Sequence, residues 1–365
     1  MSRTGPGGSS SAPLIGRLRV LTTPAGSIAG PYSSSPEYIE LDPQDPEFKT
    51  LKLAVHLGLS MLESSRGRQL MADIGVNTVN HHRGRRQTIR YTDETHNMPN
   101  YVSRFLRTVR NDFFNLYLTN NIRNAGGVAQ AQVCFLSGDI HNYHPKQDGR
   151  IKMSKTIIEN MVYAARVAQD PRRPPEWRQS ALRNFNTGSF QMGFATAHEL
   201  VHKWVGYLIG DPRSGTPDNV AYPGNAPPDG GESGWFWESR FLGGGLFECV
   251  EDVSDPLGPR QAGKIYLSRI DVNRVEWARE LDPNYIQRIL NFDFSVLARP
   301  APNSPPAIPR RYLPKPMERV RLENMPTGLI VIHSNQVPPE EQNAINRMRT
   351  YTVSVSGPVR PSRVV

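Results

Sequence analysis

The sequence predicts one main α+β domain, predominantly helical, with a small mixed sheet ahead of a central helix and a β-rich appendage at the C-terminal end. Three observations predict it. Apolar residues recur at helical spacing through several long segments of the 365-residue chain. The run Gly127 to Gly138, GVAQAQVCFLSG, is short, apolar and opens with period-2 alternation, as a strand does. The 32 prolines and 30 glycines gather between these segments, where they mark turns and irregular connections.

Taken in order, residues 1–40 read as a flexible leader whose opening, MSRTGPGGSSSAPLIG, is small and polar. Asp45 to Ser65 carries apolar residues at helical spacing. Gly75 to Asn97 is polar and basic, which suggests a loop with short strands. Asn100 to Asn121 places Val102, Phe105, Leu106, Val109, Phe113 and Leu116 on one helical face. After the strand at Gly127, SKTIIENMVYAARVAQ forms a helix, with Thr156 and Glu159 at capping-box spacing and Pro171 as its stop. A Pro/Arg-rich connector leads to a helix containing TAHELVHKWVGYLIGD, which Gly210 and Pro212 terminate.

Asp211 to Gly231 is a Pro/Gly-rich loop, and ESGWFWESRFLGG a compact aromatic helix. KIYLSRIDV is strand-like, and DPNYIQRILNFDFSVLARP a helix closed by Pro300. The division is therefore a leader (1–40), a main domain (41–298), a Pro-rich arm (299–317) and a small β-rich tail (318–365). The arm holds seven prolines, and the tail includes GLIVIHS and RTYTVSVSG.

Composition excludes several classes. No apolar run approaches the roughly 20 residues that cross a bilayer, so no membrane partner is expected. The opening residues lack the apolar core of a secretory signal, and two cysteines, Cys134 and Cys249, make neither a disulfide scaffold nor a thiolate metal site. An intracellular, cytoplasmic protein with reduced thiols is the expectation; the oligomeric state has no signature. The net charge of +9 admits nucleic acid as a partner. Neither of its densest runs, HHRGRRQTIR (His81 to Arg90) and PRRPPEWRQ (Pro171 to Gln179), lies on a helix with aromatic residues interleaved, and both read as solvated basic loops.

The chemistry concentrates in His198-Glu199-Leu200-Val201-His202. At about 100° per residue, His198, Glu199 and His202 share one helical face with the small residues Ala195 and Gly206. Phe194, Ala197, Val201, Val205 and Leu208 form the adjoining apolar stripe. Imidazoles four apart can bind one Zn²⁺, and a glutamate between them can take a proton from its water. Ala195 and Gly206 would leave room for ion and substrate.

Such a centre needs a third protein ligand. KWVGYLIGD follows His202, and the next histidine downstream is His333, so a carboxylate is required. Glu232 and Glu238 in GGESGWFWESRFLGG are candidates, as are Glu248, Glu251 and Asp252 in LFECVEDVSD.

HELVHKWVGYL resembles the zinc helix of gluzincin metallopeptidases, in particular the HELxHxWxGxL pattern of zinc aminopeptidases. His198, Glu199, Leu200, His202, Trp204, Gly206 and Leu208 supply the matching letters. The resemblance implies a zincin-like fold, and a glutamate at the start of a second helix as third ligand. Glu232 in GESGWFWE, with Glu238 six residues on, is the best counterpart. The gap from His202 to Glu232 is longer than in aminopeptidases, and NTGSFQMGFATAHE does not supply their upstream amino-terminus-binding stretch. The similarity therefore covers the site, not an aminopeptidase activity. An E-x-x-x-D pattern through Glu248, with Asp252 orienting a histidine, remains the alternative.

The expected function is zinc-dependent hydrolysis of a peptide or small amide, with Glu199 as general base. Tyr222, Tyr266, His141, Tyr143 and His144 are candidate donors to the developing oxyanion. Two other readings compete: a zinc-dependent tailoring enzyme for a small molecule, and a non-catalytic basic binding protein in which HELVH is structural. Trp204, Trp235, Phe236 and Trp237 are expected to pack the two site helices together.

Overall fold

A computed structural model describes residues 15–23, 38–120, 122, 127–211, 215–222, 231–243, 245–270, 276–298, 308–309 and 349–354. The chain already enters the fold within the expected leader. Strand β1 (Arg17–Thr22) lies inside a six-stranded sheet, and β2 (Ile39–Glu40) forms its edge. The reason is RLRVLT, whose Val20 and Leu21 are buried while the whole strand pairs in parallel with a later one.

Helix α1 (Pro46–Glu63) follows as expected. Helix α2 (Ser65–Gly84) occupies much of the region expected as a loop. Its inward positions are Leu70, Met71, Ile74, Gly75, Thr78, Val79 and His82, a helical stripe whose small and polar members hide the apolar period. Ser64 caps it by accepting the Gly67 N–H at 3.0 Å.

Helix α3 (Met98–Asn111) stops short of Asn121, and the chain turns directly into β3 (Asp112–Thr119). DFFNLYLT places Phe113 and Leu116 at helical spacing, yet its aromatic residues fit an interior strand flanked on both sides. Strand β4 (Gly127–Val133) and β5 (Arg150–Ser154) precede α4 (Lys155–Gln169). Ser154, accepting the Ile157 N–H at 3.4 Å, caps α4 in place of the expected Thr156–Glu159 pair. Thr156 instead donates to Asn120 through its amide and hydroxyl, both at 3.0 Å.

Helix α5 (Pro175–Ile209) carries HELVH, and α6 (Ser233–Phe241) is the aromatic helix. Beyond it KIYLSRI forms the expected strand and PNYIQRIL the expected helix, but further strands join the first. Strands β6 (Leu246–Val250), β7 (Lys264–Ile270), β8 (Glu276–Glu280) and, beyond the short helix α7 (Pro283–Leu290), β9 (Ile308–Pro309) form a four-stranded antiparallel sheet. LFECV, read as a source of ligands, is a wholly buried strand. Strand β10 (Arg349–Ser354) comes from the expected tail and pairs antiparallel with β4. The rest of the arm and tail, GLIVIHS included, lies outside the described residues.

The main sheet has the order β10-β4-β5-β3-β1-β2, with β1, β3 and β5 parallel and the others antiparallel to their neighbours. Helix α5 is the axis of the fold, packed against α1, α4 and α6 and crossed by β4. Every residue from Thr187 to Ile209 is buried, so its apolar stripe and its polar face are both covered. At Gly206 an added Cβ would sit 2.5 Å from Val133 Cγ1, so this glycine admits strand β4 rather than an ion or substrate. Among the described residues no helix is long and apolar enough to cross a membrane.

The basic runs are partly absorbed into the structure. Arg83 donates to the Asp93 carbonyl at 2.6 Å, and Arg90 to those of Gly138 (3.2 Å) and Asp139 (2.9 Å). Arg172 pairs with Asp170 at 3.0 Å.

Candidate metal centre

Helix α5 presents His198 and His202 one turn apart, with ring centroids separated by 5.0 Å. Helix α6 begins against them. Glu232 is its N-cap, and one carboxylate oxygen, Oε2, accepts the Trp235 N–H. This fixes the other oxygen, Oε1, 3.2 Å from His198 Nε2 and 2.5 Å from His202 Nε2. One ligand atom from each of the three residues lies within 4.8 Å of the others, and all three are buried.

The far sides of both rings are held by the same helix. Ser233 Oγ lies 3.1 Å from His202 Nδ1, and Glu238 Oε2 3.5 Å from His198 Nδ1. His202 thus has an orienting hydrogen-bond partner at Nδ1, His198 Nδ1 faces the Glu238 carboxylate at ion-pair distance without a hydrogen bond among the described residues, and both rings turn Nε2 toward Glu232. Gly234 makes this approach possible: a Cβ there would lie 2.2 Å from His198 Cδ2 and Nε2.

Two nitrogens and one carboxylate oxygen are a donor set that suits zinc. Two ligands about 2 Å from a tetrahedral ion are about 3.3 Å apart; His198 and Glu232 stand at 3.2 Å. The His202–Glu232 pair, 2.5 Å apart, has to open by about 0.8 Å to match. Glu199 sits beside the cluster, fully buried. Its Oε2 accepts the Ala131 N–H of β4 at 2.5 Å, whereas its Oε1 has no hydrogen-bond partner among the described residues. This oxygen is therefore open to accept a proton from a donor beside the cluster.

Electrostatics agree with this fit. Burial opposes ionisation of Glu232, but the facing His198 and His202 overcome it and hold the carboxyl well below the usual range. Burial likewise opposes protonation of His198, yet Glu232, with help from Glu238 and Glu199, pushes it up to about 10. Burial raises Glu199 to about 8, against the pull of His198, the Ala131 N–H and Lys203.

The other expected residues fall elsewhere. Glu248 is buried on β6, where its Oε1 accepts the Ser268 hydroxyl at 2.6 Å; it is not in the cluster. Asp252 pairs with Lys264 at 3.4 Å and accepts the Ser254 hydroxyl, so it does not orient a histidine; Glu238 does. Tyr266 donates across the β7–β8 pair to Glu280 at 3.3 Å rather than to the cluster. Tyr222 is buried, two residues past Val220, whose carbonyl accepts the Glu232 N–H at 2.8 Å. Tyr143 donates to Asp148 at 2.7 Å, and His141 and His144 are exposed. Trp237 packs α6 on α5 through Phe194, 6.1 Å away, but Trp204 turns to α2 and donates to the Met71 carbonyl at 2.9 Å.

Sequence reasoning missed Ser233, which carries no signal beyond its place next to Glu232. It also missed Lys203, whose signal is a charge inside a buried helix. Its Nζ donates to the Gln132 carbonyl at 2.5 Å and to that of Asp148, tying β4 to the site helix. Glu238→Gln is expected to weaken metal binding about 10–100-fold while leaving the fold intact, measured by competition with a chelator. Unchanged affinity would show that Glu238 does not orient His198.

No protein-family profile, no curated protein and no solved structure matches this chain.

Proposed function

We propose that the chain is a zinc-dependent metallohydrolase with a zincin-like fold that cleaves a peptide bond. One observation carries the reading: His198, His202 and Glu232 converge on one point, and the partner-free Oε1 of buried Glu199 lies on the same helix beside them. A structural HELVH helix has no need of that convergence.

His198 Nε2, His202 Nε2 and Glu232 Oε1 would hold the ion. Bound there, zinc lowers the pKa of a coordinated water toward 7 and polarises the substrate carbonyl. The chain's own residues do the rest. The Ala131 N–H fixes Glu199 Oε2, leaving Oε1 to take a proton from water as its oxygen attacks the carbonyl carbon. Glu199 then passes that proton to the departing amine as the C–N bond breaks. Ser233 and Glu238 keep both imidazoles in the orientation that directs Nε2 at the centre. Tyr222 keeps the role of oxyanion donor in this reading; Tyr266 does not, because its hydroxyl is given to Glu280.

Metal analysis tests the ligand set directly. Purified protein is expected to carry one zinc per chain, Glu232→Ala to lose it, and Glu248→Ala to retain it. Stoichiometric zinc in Glu232→Ala would remove Glu232 from the centre.

A further inference from the structure

The N-terminal half of α5 walls a second cavity, completed by the β6–β7 connection, the end of β8 and the start of α7. Its volume is about 190 Å³, more than the roughly 150 Å³ that hold a benzene molecule. Thr187, on its lining, precedes His198 by eleven residues, about 16 Å along the helix axis. None of the metal ligands lines it, so a ligand bound here is independent of the hydrolase reading.

Ile265, Leu281 and Ile286, all buried, give the cavity an apolar wall. Two of its acids are already engaged by the fold. Asp255 accepts the side chains of Ser180 and Asn184 at 2.8 and 2.7 Å and the Leu257 N–H at 2.8 Å. Asp252 accepts the Ser254 amide and hydroxyl and faces Lys264 at 3.4 Å. Arg183, by contrast, has no hydrogen bond or ion pair among the described residues, and neither has the hydroxyl of buried Thr187. Glu280 accepts the Tyr266 hydroxyl through Oε2 alone, at 3.3 Å, which leaves its Oε1 without a partner among those residues. An unpaired guanidinium and an unpaired carboxylate oxygen thus line the same apolar-walled cavity.

We propose that this cavity binds a small zwitterion with an apolar body, a free α-amino acid with an aliphatic side chain. Its carboxylate pairs with Arg183, whose planar fork matches two carboxylate oxygens. Its ammonium donates to Glu280 Oε1, and its side chain covers Ile265, Leu281 and Ile286. The Thr187 hydroxyl supplies one further hydrogen bond. A simple anion would meet the Glu280 charge with no cation of its own, and a simple amine would meet Arg183 with no anion. Only a ligand carrying both charges satisfies both groups.

The test titrates the full chain with leucine, with isocaproate, which lacks the amino group, and with isoamylamine, which lacks the carboxylate. Calorimetry follows each titration. Leucine is expected to bind saturably, one molecule per chain, and each analogue at least tenfold more weakly, the loss of one charge-assisted contact. Arg183→Gln and Glu280→Gln, made in the full chain, are each expected to weaken leucine at least tenfold. Arg183 is exposed, and glutamine at 280 can still accept the Tyr266 hydroxyl, so both variants keep the fold. No saturable leucine binding, an analogue that binds as tightly as leucine, or full leucine affinity in either variant overturns the proposal.

Discussion

Glu199→Gln is expected to retain its zinc and to lose hydrolysis by a factor on the order of 10³, the range that removal of a positioned general base produces. The substitution is nearly isosteric. Glu199 is not among the three converging donors, so metal content stays at one per chain. The glutamine Oε1 can still accept the Ala131 N–H that Glu199 now binds at 2.5 Å, which keeps β4 in place. What disappears is the basic oxygen with no partner. Metal content and initial rates measured on the same preparation check both halves. A variant that hydrolyses at the normal rate ends the general-base assignment, and one that loses zinc shows that Glu199 supports the ligands instead.

The second large effect is on stability. Lys203 is fully buried one residue past His202, and its Nζ serves the Gln132 and Asp148 carbonyls while lying 4.8 Å from the Phe114 ring. Lys203→Met keeps most of the volume but strands two buried carbonyls, so a loss of roughly 3 kcal/mol is expected. The loss also depends on pH. Burial raises the Asp148 carboxyl to about 6, while Lys203, Tyr143 and Arg90 hold it down. A carboxyl with a folded pKa above its unfolded value destabilises the fold progressively as pH rises through that interval. Without Lys203 the folded pKa climbs further, so the interval widens and the variant's deficit grows from pH 5 to pH 8. Denaturant unfolding at both pH values checks this. A deficit that shrinks over that range would mean Lys203 does not act on Asp148.

How much of this was legible depends on the range of the forces involved. The HELVH face was readable because helical geometry is local: a turn of about 100° per residue aligns His198, Glu199 and His202 whatever surrounds them. Glu232 was readable as a carboxylate at a helix start, a position its N-cap contact with Trp235 now explains. Helices α1, α4 and α6 were legible for the same local reason. By contrast, α2 was hidden because Gly75, Thr78 and His82 occupy inward positions that an apolar period does not reveal.

Strand β3 was mistaken for helix because Phe113 and Leu116 lie at helical spacing, and pairing with β1 and β5 decides for a strand instead. Strand β1 inside the expected leader, and strands β6, β8 and β9 around the expected KIYLSRIDV strand, have the same cause. Their stability comes from partners far away in the chain.

The sequence by itself determined which residues could bind an ion and which could act as base, because those are properties of side-chain type and helical spacing. Only the tertiary structure decided which carboxylate lies against the two imidazoles. Glu232 and Glu248 are chemically the same group; one caps a helix that starts against His198, and the other sits on a strand facing Ser268. It also decided what lies across Gly206, reserved by the sequence for an ion and taken by Val133. Such choices follow from which surfaces pack and which backbone edges pair, and these are set by the whole chain at once.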